Sequence, residues 1–152
     1  MAQQKETGDS QLVRDFMTAN PECVSERDTV RDAARIMKEH DTGVVPVIDG
    51  KKIVGLITDR DIVVRGVAER QDVAGMPVSE LMTKSVRTVR ENADMREVLE
   101  LMRGSEIRRV PVVNGSDEIV GIVSLGDIAS ESQQAGAVGK AMEKISEAPP
   151  NN

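Results

Sequence analysis

Hydrophobic and polar positions fall into a pattern that runs along the chain twice. In the first half, Val30, Ala33, Ala34 and Met37 stand at i, i+3, i+4 and i+7 and predict a helix with one apolar face. In the second half, Met95, Val98, Leu99 and Met102 repeat that spacing. Thr29 with Asp32, and Asp94 with Glu97, are three residues apart at the two helix starts, the spacing of a capping box. A short strand precedes each helix, at Cys23 and Val24 or at Thr88 and Val89. Two β-branched strands follow each helix: 44–48 with 53–57, then 110–113 with 119–123. Asp49-Gly50 and Asn114-Gly115, residues that tolerate positive φ, supply the turns between them. A last helix begins at Thr58 or Ser124. The predicted order is β-α-β-β-α, twice.

The halves also match letter by letter. VRDFMT at 13–18 lies over VSELMT at 78–83, an offset of 65 (78 − 13), and VVPVIDG at 44–50 lies over RVPVVNG at 109–115 at the same offset. One residue is inserted, and IVGLITDRDI at 53–62 lies over IVGIVSLGDI at 119–128. Three blocks in one order at nearly constant spacing are an internal repeat. One copy is too short to bury an adequate core, whereas two copies packed sheet to sheet would manage it. The expected fold is α/β (α+β), with two repeats related by pseudo-twofold symmetry. The expected division is a disordered segment at 1–11, a repeat at 12–70, a linker at 71–77 with Gly75 and Pro77, and a repeat at 78–130. The remainder, 131–152, reads as one helix striped by Val138, Ala141, Met142 and Ile145, then a frayed end.

Composition narrows the function. The 152 residues include one Phe, no Trp and no Tyr, so no aromatic platform for stacking nucleotide bases exists. The net charge of −6 argues against a phosphate backbone as partner. Cys23 is the single cysteine, which rules out an internal disulfide, and it reads as a small buried hydrophobe. The polar start and the lack of 18 consecutive apolar residues suggest neither a signal peptide nor a membrane span, and a cytoplasmic location is expected. His40, the single histidine, ends a helix without a nucleophile pattern around it. One His and one Cys do not make a zinc set, and no glycine run has the phosphate-loop spacing. The chain is not expected to be an enzyme.

The blocks VVPVID, RRVPVVN, IVGLITDRD and IVGIVSLGD, in this order and spacing, resemble the CBS-domain pair (the Bateman module), and in particular the small stand-alone bacterial form of the hypoxic response type. That resemblance implies a regulatory module. It would bind AMP, ADP, ATP or S-adenosylmethionine between the repeats, form a homodimer and signal to a protein partner not identifiable from sequence. The alternative is a ligand-free dimeric stress-response or protein-interaction module.

The family's ribose pattern, Thr/Ser-x-x-Asp, falls on Thr58 with Asp61 and on Ser124 with Asp127. A carboxylate can accept hydrogen bonds from both ribose hydroxyls, and the helix start adds donors. The same pattern reads equally as a helix N-cap, and the two roles are compatible. The family's phosphate-binding position, before the Val-Pro, falls on Arg108 and Arg109, whose guanidiniums suit phosphate oxygens. The first copy has the neutral Gly43 and Val44 there but offers Arg60 beside Asp61, so the two clefts are expected to differ. The implied adenine pocket falls on Val24, Val45 and Leu56 in the first copy and on Val89, Val110 and Ile122 in the second. All six also read as core.

Overall fold

The computed structural model describes residues 11–131. The readings made for the first ten residues and for the segment after Glu131, including its apolar stripe, lie outside the described residues. In chain order the elements are β1 (Thr18–Ala19), β2 (Val24–Ser25), α1 (Val30–His40), β3 (Val44–Asp49), β4 (Lys52–Thr58), a π-helix (Asp61–Val67), β5 (Val89–Arg90), α2 (Met95–Ser105), β6 (Arg109–Val113), β7 (Ile119–Ser124) and α3 (Leu125–Glu131). The short strands β2 and β5 begin one residue later than the expected pairs at Cys23 and Val24 and at Thr88 and Val89.

The helix starts follow from their caps. Thr29 Oγ1 accepts the Asp32 N–H at 3.2 Å, and the Asp32 carboxylate accepts the Thr29 N–H at 3.0 Å. The Asp94 carboxylate accepts the Glu97 N–H at 2.9 Å. On α2 all four expected apolar residues are buried. On α1, Ala34 is exposed, contrary to expectation, and Ile36 packs on the core instead. The inward face is centred on Ala33, and a step of one residue carries Ala34 about 100° away from it.

Each pair of long strands is an antiparallel hairpin with a register shift at the same place, after Val47 and after Val112. Gly50 turns the first hairpin at φ 67. The second turn differs from the Asn-Gly expectation. Asp117 takes the positive φ, while Asn114 Oδ1 accepts the N–H groups of Ser116 and Glu118 and closes a longer loop. The residues after β4 also differ from expectation, forming a π-helix where the second copy has the α-helix α3.

The repeats are linked by an exchange. The turn Val13–Asp15 leads the first repeat, yet Val13 and Phe16 are buried in the second repeat's apolar cluster, and β1 extends the sheet in the order β1-β7-β6-β5. Reciprocally, Val78, Leu81 and Met82 fill the first repeat's cluster, and Thr83 bonds Leu56 in both directions at 2.8 and 3.0 Å. The Val13 N–H donates to Ala93 O at 2.7 Å, and the matched Val78 N–H donates to Asp28 O at 2.8 Å. The glycine of each IVG block makes room for the visitor. A Cβ on Gly55 would meet Met82 Sδ at 2.7 Å, and one on Gly121 would meet Met17 Cγ at 2.9 Å. The tips of the hairpins also touch, where the Ile119 N–H donates to Lys51 O at 3.1 Å.

Candidate functional site

Both Ser/Thr-x-x-Asp segments fold as reciprocal caps. The Thr58 N–H donates to Asp61 Oδ2 and the Asp61 N–H to Thr58 Oγ1, each at 3.0 Å. Ser124 and Asp127 repeat both bonds at 3.0 Å. A cap of this form uses one oxygen of each carboxylate, and the fate of the second oxygen separates the copies. Asp61 Oδ1 is taken by Arg65 Nη1 at 3.4 Å, and Asp61 is buried beneath that ion pair. Asp127 Oδ1 has no partner among the described residues. Arg65, four residues beyond Asp61, went unread as a site residue, although the i, i+4 spacing of an acid and a base on one helix was available to signal it.

Ser124 and Asp127 open into a cleft of about 620 Å³. Its apolar wall includes Val44, Pro46 and Ile122, and its cation is Arg109, which forms no ion pair among the described residues. The exchanged segment at 18–22 and the end of α1, with His40 and Asp41, complete it. Sequence reasoning missed both, because the exchange brings the first and the packing of one repeat on the other brings the second. Glu22, Asp41 and Asp127 against Arg109 make the lining predominantly acidic, with His40 beside them.

The other candidates are placed as follows. Arg108 is half-buried outside this cleft, and its carbonyl accepts the Leu125 N–H at 2.8 Å. Arg60 is exposed, with its N–H donating to Asp59 Oδ1 at 2.8 Å. Val24, Val45, Val89 and Val110 are sealed in the two apolar clusters and do not line the cleft. Leu56 is half-buried opposite Pro46, also outside the cleft, as are Thr58 and Asp61. The correction for Val45 is one residue, because successive side chains on a strand point to opposite faces. Val45 and Val47 face the core, which leaves Val44 and Pro46 to the cleft.

Burial raises the Cys23 thiol to about 11, with the nearby Glu22 carboxylate adding to the shift. Its Sγ lies 3.2 Å from Pro21 O, so Cys23 is a half-buried thiol just before β2 rather than a strand residue.

Two repeats that trade their leading turns and wall a common cleft form a paired-repeat module. The CBS domain model matches residues 13–67 and 78–133, and the chain belongs to the CBS domain family, as a tandem pair. It is 37% identical over 134 residues to the CBS domain-containing protein YhcV of Bacillus subtilis (strain 168), covering 88% of this chain and 94% of that protein. It is 41% identical over 117 residues to Hypoxic response protein 1 of Mycobacterium tuberculosis (strain ATCC 25618 / H37Rv), covering 76% and 81%. The crystal structure of Hypoxic Response Protein I with two coordinated zinc ions superposes with a TM-score of 0.73 at 38% identity, covering 80% of this chain and 99% of that one. Among the described residues here, no group of three or more His, Cys, Asp or Glu is placed to hold a metal ion. CBSX2 in complex with AMP gives a TM-score of 0.69 at 30% identity, covering 82% and 97%. The CBS domain pair of protein MJ0100, in complex with 5'-methylthioadenosine and S-adenosylmethionine, gives 0.71 at 30%, covering 80% and 94%.

Proposed function

We propose that the Ser124–Asp127 cleft binds the ribose of an adenosine-type ligand (AMP, ADP, ATP or S-adenosylmethionine), and that the chain is a regulatory module rather than an enzyme. The observation that carries this is the unpartnered Asp127 Oδ1, held at the mouth of a cleft by a cap that uses only Oδ2. An ionised carboxylate oxygen in that position is a strong acceptor for ribose hydroxyls. Val44, Pro46 and Ile122 offer the base an apolar wall, and Arg109 offers a phosphate or carboxylate its charge. The relatives crystallised with AMP and with S-adenosylmethionine support the ligand class.

A signal follows from where the walls come from. Both repeats and the exchanged segment line the cleft, so a ligand touching all three favours one packing of the pair over another. A partner protein that reads this packing must alter ligand affinity by the same factor as the ligand alters its own. No helix among the described residues is long and apolar enough to cross a membrane, and a cytoplasmic role as a homodimer fits this reading. A ligand-free dimeric interaction module is the second reading, favoured by the exposed Val63, Val64 and Val67 along the π-helix.

The test is calorimetric titration with AMP, ADP, ATP and S-adenosylmethionine, on the full chain and on Asp127→Asn. Asparagine keeps an oxygen to accept the Ser124 N–H but puts an amide donor where Oδ1 stood. One of these ligands is expected to bind, and Asp127→Asn to weaken it by about 10- to 150-fold, the worth of a hydrogen bond to a charged group. Binding by none of them would remove the adenosine reading and leave the interaction module.

A further inference from the structure

We propose that Met17 is a modification site for peroxide oxidants, and that its sulfoxide loosens the exchanged segment that walls the Ser124–Asp127 cleft. Met17 stands directly before β1, which pairs Thr18 with Ile122 and Ala19 with Gly121. Its thioether lies so close over Gly121 that a Cβ on that glycine would overlap Sδ. The residues that follow it, from Thr18 to Glu22, line the cleft. One sulfur therefore packs at the root of a wall of the site.

The repeat separates Met17 from its twin. Met82 lies over Gly55 as Met17 lies over Gly121, with Sδ 2.7 Å from where a Cβ would stand. Met82 is 5% exposed, whereas Met17 is half-buried, so an oxidant in solution reaches Met17 more readily. Cys23, in the same stretch of chain, does not compete. Burial and the Glu22 carboxylate raise its thiol to about 11, and the thiolate is the form that attacks a peroxide. A thioether has no proton to lose, so oxidation at Met17 does not wait on pH.

The step needs hydrogen peroxide or an organic hydroperoxide and no group from the protein. A lone pair of Sδ attacks the outer peroxide oxygen, the O–O bond breaks, and water or an alcohol leaves with the proton. Sulfur gives up two electrons, the peroxide takes them, and a sulfoxide remains. The product carries a polar oxygen where an apolar arm had packed on Gly121 and on the second repeat's cluster. An acceptor pressed into that contact without a donor is unfavourable, so the arm turns out to water and its hold on Gly121 is lost. The segment from Thr18 to Glu22 then keeps only its backbone pairing, of which the Asn20 N–H to Val120 O bond at 2.9 Å is a part.

The inference does not depend on the adenosine reading, and its test uses no ligand. The folded full chain is treated with hydrogen peroxide, quenched with catalase and mapped by peptide mass spectrometry. Met17 is expected to gain one oxygen several-fold faster than Met82. The oxidised chain is expected to melt lower by about 2–4 °C, with faster amide hydrogen exchange in the peptide that carries Thr18 to Glu22. Met17→Leu keeps an apolar side chain of similar volume but offers no sulfur. It should melt close to the native chain before treatment and should lose the peroxide effect on melting and on exchange. The mass and exchange measurements on the native chain stand without this variant. Equal oxidation of Met17 and Met82, oxidation of Met17 that leaves melting and exchange unchanged, or the same peroxide effect in Met17→Leu would each overturn the proposal.

Discussion

Replacing Gly121 with alanine puts a methyl group into space that Met17 already fills, so its cost measures the exchange between the repeats. The new Cβ would overlap Met17 Sδ and stand 2.9 Å from Met17 Cγ and 3.0 Å from Met17 Cε, all atoms of one flexible side chain. Met17 is only half-buried and its thioether arm is unbranched, so it can swing aside. The cost should therefore sit at the low end of the 1–3 kcal/mol typical of overpacking, at about 1 kcal/mol. The matched Gly55→Ala is worse placed. Its Cβ would meet Met82 Sδ at 2.7 Å and, at 2.9 Å, the carbonyl oxygen of Thr83. That oxygen accepts the Leu56 N–H at 3.0 Å and belongs to backbone, so it cannot move without breaking the link between repeats. A cost of about 3 kcal/mol follows. At roughly 2–4 °C per kcal/mol for a chain of this length, the melting temperature should fall by about 2–4 °C in Gly121→Ala and about 6–12 °C in Gly55→Ala.

The assay is thermal and urea unfolding followed by far-ultraviolet circular dichroism, since the chain has no Trp or Tyr to report by fluorescence. The decisive comparison is a double-mutant cycle. In a Met17→Ala background, Gly121→Ala should cost close to nothing, because the atoms it strikes are gone. Met82→Ala should rescue Gly55→Ala only in part, since the Thr83 carbonyl remains. An undiminished cost of Gly121→Ala in Met17→Ala would refute the exchange as the reason for the glycine. A larger effect at Gly121 than at Gly55 would refute the distinction between a flexible and a backbone obstacle.

Backbone and side-chain hydrogen bonds from Thr29, aided by Arg35, hold Asp32 below the usual aspartate range. A depressed carboxylate stabilises the fold above its unfolded value and ceases to as pH falls through its folded value. Asp32→Asn should accordingly be less stable than the native chain near neutrality, with the gap closing below the ordinary aspartate range. A gap independent of pH in denaturation curves would contradict this. Cys23, raised from 9.0 to about 11, should hold about 100-fold less thiolate than an unperturbed cysteine at pH 8. Its reaction with an aromatic disulfide should be slower by a similar factor, and should return to the free-thiol rate in urea. A native rate equal to that of free thiol would refute the burial.

Much of this protein was legible in one dimension because much of it is local. Helix faces, caps and hairpins depend on residues three to ten apart, so Thr29 with Asp32, Ser124 with Asp127 and the hydrophobic spacing of α2 identified themselves. The repeat did the same at long range by copying letters. At two places local spacing misled by a step of one residue: Ala34 lies off its helix face, and Val45 is turned inward where Val44 and Pro46 face the cleft. Periodicity marks a face only to within a residue, and packing decides which side is buried.

The sequence by itself determined two β-α-β-β-α units, their caps, their carboxylates, and the asymmetry between Arg109 and Val44. Only the tertiary structure decided that Val13–Asp15 serves the second repeat and Val78–Glu80 the first. It also decided that Arg65 occupies Asp61 while Asp127 keeps an open oxygen, and that Glu22, His40 and Asp41 line that oxygen's cleft. The physical reason is that both leading turns carry apolar residues at matched positions (Val13, Phe16 and Met17; Val78, Leu81 and Met82), so local pattern does not say which core each one fills. Which core it fills is set by the path of the whole chain and by where burial and backbone pairing can be satisfied together.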